Sequence, residues 1–327
     1  MSTLSIIVPC YNCEKIISGL IDSLKNQTCQ DFEVVFVEDC SKDETLEQIK
    51  KLLQDSCLKY QLHQNSENKG PGYTRNAGVK YSDGEYILFA DSDDRFEQTA
   101  VEKLLTVIND FNKPDAVLFD YFSSRKGKTT PQSTVVKGEE GWLTREAAIL
   151  YSTSATWCKM YKAEVVRKNQ IFFPDIRAKE DFVFNKAALS YCKDVFYLKE
   201  NLYYYEYNAS SIMNTIKLIG EANAKNAFSA LQSMCSSDCT ATIRLLSIQE
   251  YLYGSLQSMV RMKCTINEMN EALGRYQRNY SGWKTDYKKL MLSRAVKMAL
   301  FFIEHKLWTL FICEVRMKDF LKNIYVK

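Results

Sequence analysis

Four times within roughly the first 110 residues, an apolar run of strand length is followed by a run with helical spacing, and this alternation constrains the fold more than any other feature. Leu4–Val8 reads as a buried strand, followed by Ile16, Ile17, Leu20, Ile21 and Leu24 at helical spacing. Glu33–Val37 repeats the strand, and Leu46, Ile49, Leu52 and Leu53 share one helical face, with Ser41-Lys42-Asp43-Glu44 as a capping-box signature. Leu58–His63 precedes a short helix over Thr74–Tyr81, and Tyr86–Ala90 precedes an amphipathic helix over Glu97–Phe111. Alternation of this kind predicts an α/β fold, a Rossmann-like, mostly parallel sheet flanked by helices on both faces.

Beyond that block the pattern loosens. Pro114–Phe119 reads as one more strand and Ser123–Thr130 as a polar loop; Glu180–Leu189 reads as a helix, and Val195–Leu198 and Tyr203–Tyr207 as extended segments. From about Asn214 the chain has no proline and helical spacing dominates, so two regions are expected, an α/β domain over 1–213 and a helical appendage over 214–327.

A chain of 327 residues, 46% hydrophobic and 25% charged, is long enough to bury about three quarters of its unfolded surface. Its eleven cysteines are odd in number and its first residues lead straight into a strand, which together imply a reducing cytoplasm. Cys10-Tyr11-Asn12-Cys13 has the spacing of a redox motif, but coincidence is by far the stronger reading, and two histidines with no second cysteine pair argue against zinc. No apolar run reaches membrane-spanning length, since Ala299–Cys313 is interrupted by Glu304-His305-Lys306.

In open α/β sheets, ligands collect beyond the carboxyl ends of the strands, where strand order reverses. That rule selects Pro9-Cys10-Tyr11-Asn12, Glu38-Asp39-Cys40 and Asp91-Ser92-Asp93-Asp94. The last segment puts three mutually repelling carboxylates within four residues, and hard oxygen ligands of this type suit Mg2+ or Mn2+. The bland alternative is a solvated acidic turn after a strand. The first strand–helix turn lacks the glycines that bring a pyrophosphate against backbone amides, which disfavours NAD or FAD. Asn68-Lys69-Gly70-Pro71-Gly72-Tyr73-Thr74-Arg75 opens a helix, either as an anion-assisting loop or as a plain turn and cap.

These residues resemble the family-2 glycosyltransferases of the GT-A fold. Ser5–Asn12 is similar to the family's opening strand, Gln27-Thr28 to its helix end and Val37–Ser41 to its second-strand motif. Asn68–Asn76 with Gly78 resembles the loop and helix carrying an Arg-Asn pair, and Gly84–Asp94 the metal-binding D-x-D segment. Trp157-Cys158-Lys159-Met160-Tyr161 and Lys179-Glu180-Asp181-Phe182 resemble acceptor-side motifs. The likeness runs over about residues 3–213.

The resemblance implies an inverting transferase that takes a sugar from a nucleotide-diphosphate sugar, with UDP as the expected nucleotide, in polysaccharide biosynthesis. It implies that Asp181 is the general base. Pro9, Tyr11, Asn12, Asp39, Asn68, Gly70, Arg75, Asp91 and Ser92 are expected on the donor side, and Trp157, Lys159 and Glu180 on the acceptor side. Asp93 with Asp91 is expected to hold Mn2+ or Mg2+ beneath the diphosphate. The acceptor is expected to be a glycan or lipid-linked hydroxyl. Departures from the family pattern are Glu38 and Cys40, the latter where glycine is frequent, and Glu206, which ends Tyr203-Tyr204-Tyr205-Glu206 where arginine is frequent. Trp157 reads either as a sugar-stacking ring or as a core tryptophan.

Two rival functions share these carboxylates: a Mg2+-dependent nucleotidyl- or phosphotransferase, and a non-catalytic nucleotide-sugar-binding module. From Trp283 onward ten Lys/Arg face four Asp/Glu, interleaved with Phe301, Phe302, Leu307, Trp308, Leu310 and Phe311. That segment is read as lying on the inner membrane face, or as packing on the catalytic domain or a second subunit in a homo-oligomer. Nucleic acid is not an expected partner, because no recognition motif accompanies the charge.

Overall fold

The structure, a computed structural model, describes residues 2–125, 127–176, 178–206 and 221–325, with side chains through Leu321. Tyr207, Ser211, Ile212 and the expected boundary at 213/214 lie outside the described residues. The chain divides into two compact units, Met1–Asp175 with Glu180–Ser211 and Met234–Ser236, and Ile176–Lys179 with Ile212–Ser233 and Ser237–Lys327.

The first unit is a ten-stranded sheet. Its strands are β1 Leu4–Cys10, β2 Phe32–Glu38, β3 Tyr60–Gln64, β4 Tyr86–Phe89, β5 Arg95–Phe96, β6 Ala116–Arg125, β7 Lys128–Gln132, β8 Gly141–Leu143, β9 Lys159–Lys162 and β10 Val195–Glu206. Its helices are α1 Ile17–Lys25, α2 Thr45–Leu53, α3 Pro71–Tyr81, α4 Ala100–Asp110, α5 Arg145–Tyr151, α6 Ala163–Lys168 and α7 Glu180–Tyr191. Strand order is β3-β2-β1-β4-β9-β6-β10-β5, with β7 on β6 and β8 on β10. The β3-β2-β1-β4 half is parallel throughout, while β9 enters between β4 and β6 antiparallel to both. Order reverses at β1, whose neighbours are β2 and β4, so the carboxyl ends of β1 and β4 flank the switch point.

Alternation along β1 explains the layering. Leu4, Ile6 and Val8 join the core with Ile17, Leu20, Ile21 and Leu24 of α1, Ile49 of α2 and Leu104 of α4. Each such side chain, fully buried, stabilises the fold by about 2 kcal/mol relative to exposure. On the other face α3 crosses β1 so closely that a Cβ on Gly78 would stand 2.3 Å from Ile7 Cγ2. Beside it, Phe89 of β4 meets Phe184 of α7 edge-on at 5.3 Å, and Phe184 stacks on Phe173 at 4.1 Å. Helix α7 is buried from Phe182 to Ser190, the all-round burial of a helix embedded in the core.

Three local expectations differ from the structure. The Ser123–Thr130 stretch is not a loop: β6 and β7 pair as a hairpin within it, with Ser123 opposite Thr130 and Ser124 opposite Thr129, cross-strand pairs that support a ladder. Val195–Leu198 and Tyr203–Glu206 belong to one strand, β10, with register shifts against β6 between them. Ser41 and Glu44 form no capping box; the Asp43 carboxylate accepts from the Thr45 amide instead, and Ser41 Oγ accepts from Asn12 N. A complete capping box is made by Thr265 and Glu268 in the second unit.

Among its described residues the second unit is helical, its α-helices of eight or more residues being Glu221–Met234, Thr240–Ser247, Gly254–Arg261, Ile266–Asn279, Arg294–Glu304 and Trp308–Tyr325. None of the described helices is long and apolar enough to cross a membrane.

Candidate active site

The turns after β1 and β2 are stitched together at the sheet rim. Asn12 donates its amide to Ser41 Oγ at 3.0 Å and accepts from Lys42 N at 2.9 Å. Asn12 and Cys40 both sit at positive φ, 48° and 56°. The second value explains why glycine suits position 40: the left-handed conformation costs a side chain about 1–2 kcal/mol. Tyr11 is exposed beside them, whereas Cys10 and Cys13 are buried in the core, the Cys10 thiol donating to Val8 O at 3.6 Å.

Asp39, at the end of β2, is 2% exposed and its carboxylate is already engaged. It accepts from Asn65 Nδ2 at 2.7 Å, Lys69 N at 3.0 Å and Gly70 N at 2.8 Å. Asn68 Nδ2 donates to the Asp39 carbonyl at 3.3 Å. Asp39 therefore fixes the loop that starts α3. Gly70 holds φ +84°, the left-handed region, at the helix N-cap.

One turn into α3, Arg75 joins two carboxylates from distant parts of the chain. Its guanidinium donates to Asp91 Oδ1 at 2.7 Å and to Asp181 Oδ1 at 3.2 Å, and its carbon lies 5.5 Å from the Phe173 ring centre. The side chain is 7% exposed and its Nε has no hydrogen-bond partner. Desolvation opposes its charge, but Asp181 and Asp91 hold its pKa above the ordinary arginine value. The neighbouring Asn76 exchanges two hydrogen bonds of 2.8 Å with the backbone of Phe173, which fixes the segment ahead of α7.

Asp181 occupies the first turn of α7, 37% exposed at the open edge of the site and enclosed by protein elsewhere. Loss of water is the largest influence on its carboxyl, and Glu180 and Asp91 push the same way, against Arg75 and Lys159; the pKa is pushed up to about 6. Glu180 lies against the start of α3, where a Cβ on Gly72 would stand 3.6 Å from its Cγ. Lys159 is fully buried in β9, donating to Ala155 O at 2.6 Å, and burial depresses its pKa. Trp157 is 7% exposed and stacks on Tyr203 at 4.8 Å and Tyr205 at 5.5 Å, with Tyr121 edge-on at 4.5 Å, the geometry of a core tryptophan.

The acidic turn after β4 splits by direction. Asp91 and Asp93 are half-buried at the rim, whereas Asp94 turns inward, 2% exposed. Asp94 accepts from Tyr203 Oη at 2.8 Å and Glu206 N at 2.8 Å, and Tyr203 Oη itself accepts from Asp91 N at 3.0 Å. Desolvation, then the charges of Asp91 and Asp93, push the Asp94 carboxyl well above the usual carboxylate range. Tyr203 is thus the tie that shapes the turn, a role the Tyr203-Tyr204-Tyr205 run signals only by its place on a strand beside β6. Glu206 pairs with Arg95 Nε at 3.2 Å, and the Arg95 guanidinium lies 3.7 Å from the Tyr204 ring centre, so β5 supplies a guanidinium at this rim.

The α/β fold thus brings the acidic turn after β4 and the first turn of α7 together on one buried arginine. Residues 5–169 match Glycosyl transferase family 2, and the chain belongs to that family. Over 209 residues it is 34% identical to a poly(ribitol-phosphate) beta-N-acetylglucosaminyltransferase of Staphylococcus aureus, covering 63% of this chain and 35% of that protein. It is 32% identical over 208 residues to a poly(ribitol-phosphate) beta-glucosyltransferase of Bacillus spizizenii, covering 62% of this chain and 32% of that protein. The chain thus spans about a third of the length of these two relatives. In fold it is similar to the crystal structure of S. aureus TarS 1–349 in complex with UDP-GlcNAc, with TM-score 0.73 and 24% identity over 97% of this chain and 90% of that one. It is also similar to the mannosyltransferase PcManGT from Pyrobaculum calidifontis in complex with GDP-Man and Mn2+, with TM-score 0.55 and 13% identity over 99% of this chain and 88% of that one.

Proposed function

We propose that this chain is an inverting glycosyltransferase that moves a sugar from a UDP-sugar to a hydroxyl of a glycan or lipid-linked acceptor during polysaccharide assembly. The observation that carries the reading is Arg75 held between Asp91 and Asp181. One buried guanidinium bonded to both carboxylates supports a single pocket in which Asp91 serves the donor and Asp181 the acceptor. Asp181 removes the proton from the acceptor hydroxyl as that oxygen attacks the anomeric carbon from the face opposite the leaving diphosphate. With a pKa of about 6 its carboxylate is about nine tenths ionised at pH 7 and a stronger base than an ordinary aspartate.

On the donor side Pro9, Tyr11, Asn12 and Asp39 take the nucleobase and ribose, with Asn68 and Gly70 set by the Asp39 carboxylate. Arg75 supports the diphosphate, Ser92 lines the same turn, and Glu180 lies on the acceptor side, which the buried Lys159 and Trp157 support from the core. The residues fit a divalent cation: two rim carboxylates offer hard oxygen, and their charge already pushes on Asp94. Asp93 with Asp91 would hold Mg2+ or Mn2+. Among the described residues no group of three or more His, Cys, Asp or Glu is placed to hold a metal, so donor phosphate and water would complete the shell. Such an ion supplies charge stabilisation to a leaving diphosphate.

The names of the two relatives support a polyol-phosphate polymer as the first acceptor to test, and N-acetylglucosamine or glucose as the first sugars. The test is turnover of UDP-, GDP- and dTDP-sugars with and without a chelator. Asp181→Asn is expected to bind UDP normally and to lose transfer, and Asp93→Ala to lose metal-dependent donor binding. Near-normal transfer by both variants, or UDP-sugar cleavage that never yields a glycoside with any acceptor, overturns the assignment.

A further inference from the structure

We infer that the last two helices of the second unit form a surface that docks on an anionic lipid bilayer. The Trp308–Tyr325 helix carries two apolar stripes where one suffices for packing. Trp308, Phe311 and Val315 are buried. A second ridge, Leu310, Cys313, Met317 and Phe320, repeats at three, seven and ten residues and is exposed, with Leu310 at 50%, Met317 at 62% and Phe320 at 63%. The preceding Arg294–Glu304 helix buries Ala299, Leu300 and Ile303, and turns out Arg294, Met298 and Phe301. Leu307, in the turn joining the two helices, is 40% exposed.

Charge identifies the occupant. Every acid of this segment is drawn into a local pair: Asp286 with Lys289, Glu304 with Lys288, Glu314 with Lys318 and Asp319 with Arg261. Arg294, Lys306 and Arg316, on or beside the ridges, are exposed. A surface of exposed Met, Leu and Phe edged by arginine and lysine matches an interface of acyl chains and anionic headgroups. Two copies meeting on this surface would oppose like charges, which disfavours self-association there.

The experiment is co-sedimentation of the purified chain with vesicles of phosphatidylcholine alone or with phosphatidylglycerol. Binding is expected to the anionic vesicles only, and to fall in 1 M salt. Arg294→Glu with Arg316→Glu is expected to weaken it, by roughly fivefold or more per charge. Met317→Asp with Phe320→Asp, both at exposed positions, is expected to abolish it while circular dichroism and UDP binding stay unchanged. Absence of binding to anionic vesicles, equal binding to neutral ones, or a sedimentation-velocity oligomer that Met317→Asp with Phe320→Asp dissociates overturns the inference. The readout is independent of transferase activity.

Discussion

Replacing Arg75 by methionine removes the charge shared by Asp91 and Asp181 while keeping most of the stem against Phe173. In the present geometry the guanidinium stands 3.2 Å from Asp181 and opposes the desolvation that sets that carboxyl near 6. An opposite charge at such range lowers a carboxyl pKa by about 1–3 units. Because Asp181 is 37% exposed, solvent screening favours the low end, so the variant carboxyl should titrate about one unit higher, near 7. The ionised fraction at pH 6 then falls from about one half to about one tenth, a roughly fivefold loss, while at pH 8 it stays above about nine tenths. Any contribution of Arg75 to donor binding lowers activity at every pH by one factor and leaves the limb in place. The assay is the pH dependence of kcat/KM for transfer, which reports the free enzyme. An acidic limb that stays near pH 6 in the variant refutes the claim that Arg75 tunes the base.

Two further substitutions test the frame. Tyr203→Phe leaves the buried Asp94 oxygen and the Asp91 amide without their shared hydroxyl, so it should lower stability by about 1–3 kcal/mol, read from urea unfolding, and weaken metal-dependent donor binding. Cys40→Gly relieves a left-handed side chain at φ 56° at the cost of a more flexible unfolded chain, so it should stabilise by up to about 1 kcal/mol in thermal unfolding with transfer unchanged.

What the sequence discloses here follows from how local each signal is. The strand–helix alternation through Phe111 and the acidic turn after Tyr86–Phe89 are local patterns, and the structure places them at the switch point. The sheet's second half is harder to read. Strand β9 is only four residues long, Lys159–Lys162, and no period-two pattern can declare itself over such a length. The β6–β7 hairpin is built from Ser, Thr and Lys, residues that also fill loops. Ser41 through Glu44 satisfies a capping pattern, yet Asp43 is closer to the Thr45 amide and takes the bond. Nothing in the spacing of Arg75, Asp91 and Asp181 shows that one guanidinium reaches both acids, because that contact spans 106 residues. The backbone partners of Asp39 lie 30 and 31 residues along the chain, and through them its carboxylate also clamps the neighbouring loop.

Strand β9 bears on how the protein is made. Its hydrogen bonds to Tyr86–Leu88 and to Ala116–Leu118 are what join the two halves of the sheet. During synthesis the ribosome releases β4 some seventy residues before its partner, leaving the apolar edge Tyr86-Ile87-Leu88-Phe89 waiting for Lys159–Lys162. An open edge of that composition invites pairing with other nascent chains. Slowing translation between Arg95 and Lys159 would lengthen the wait, and a holdase that covers short apolar strands would shorten the list of wrong partners.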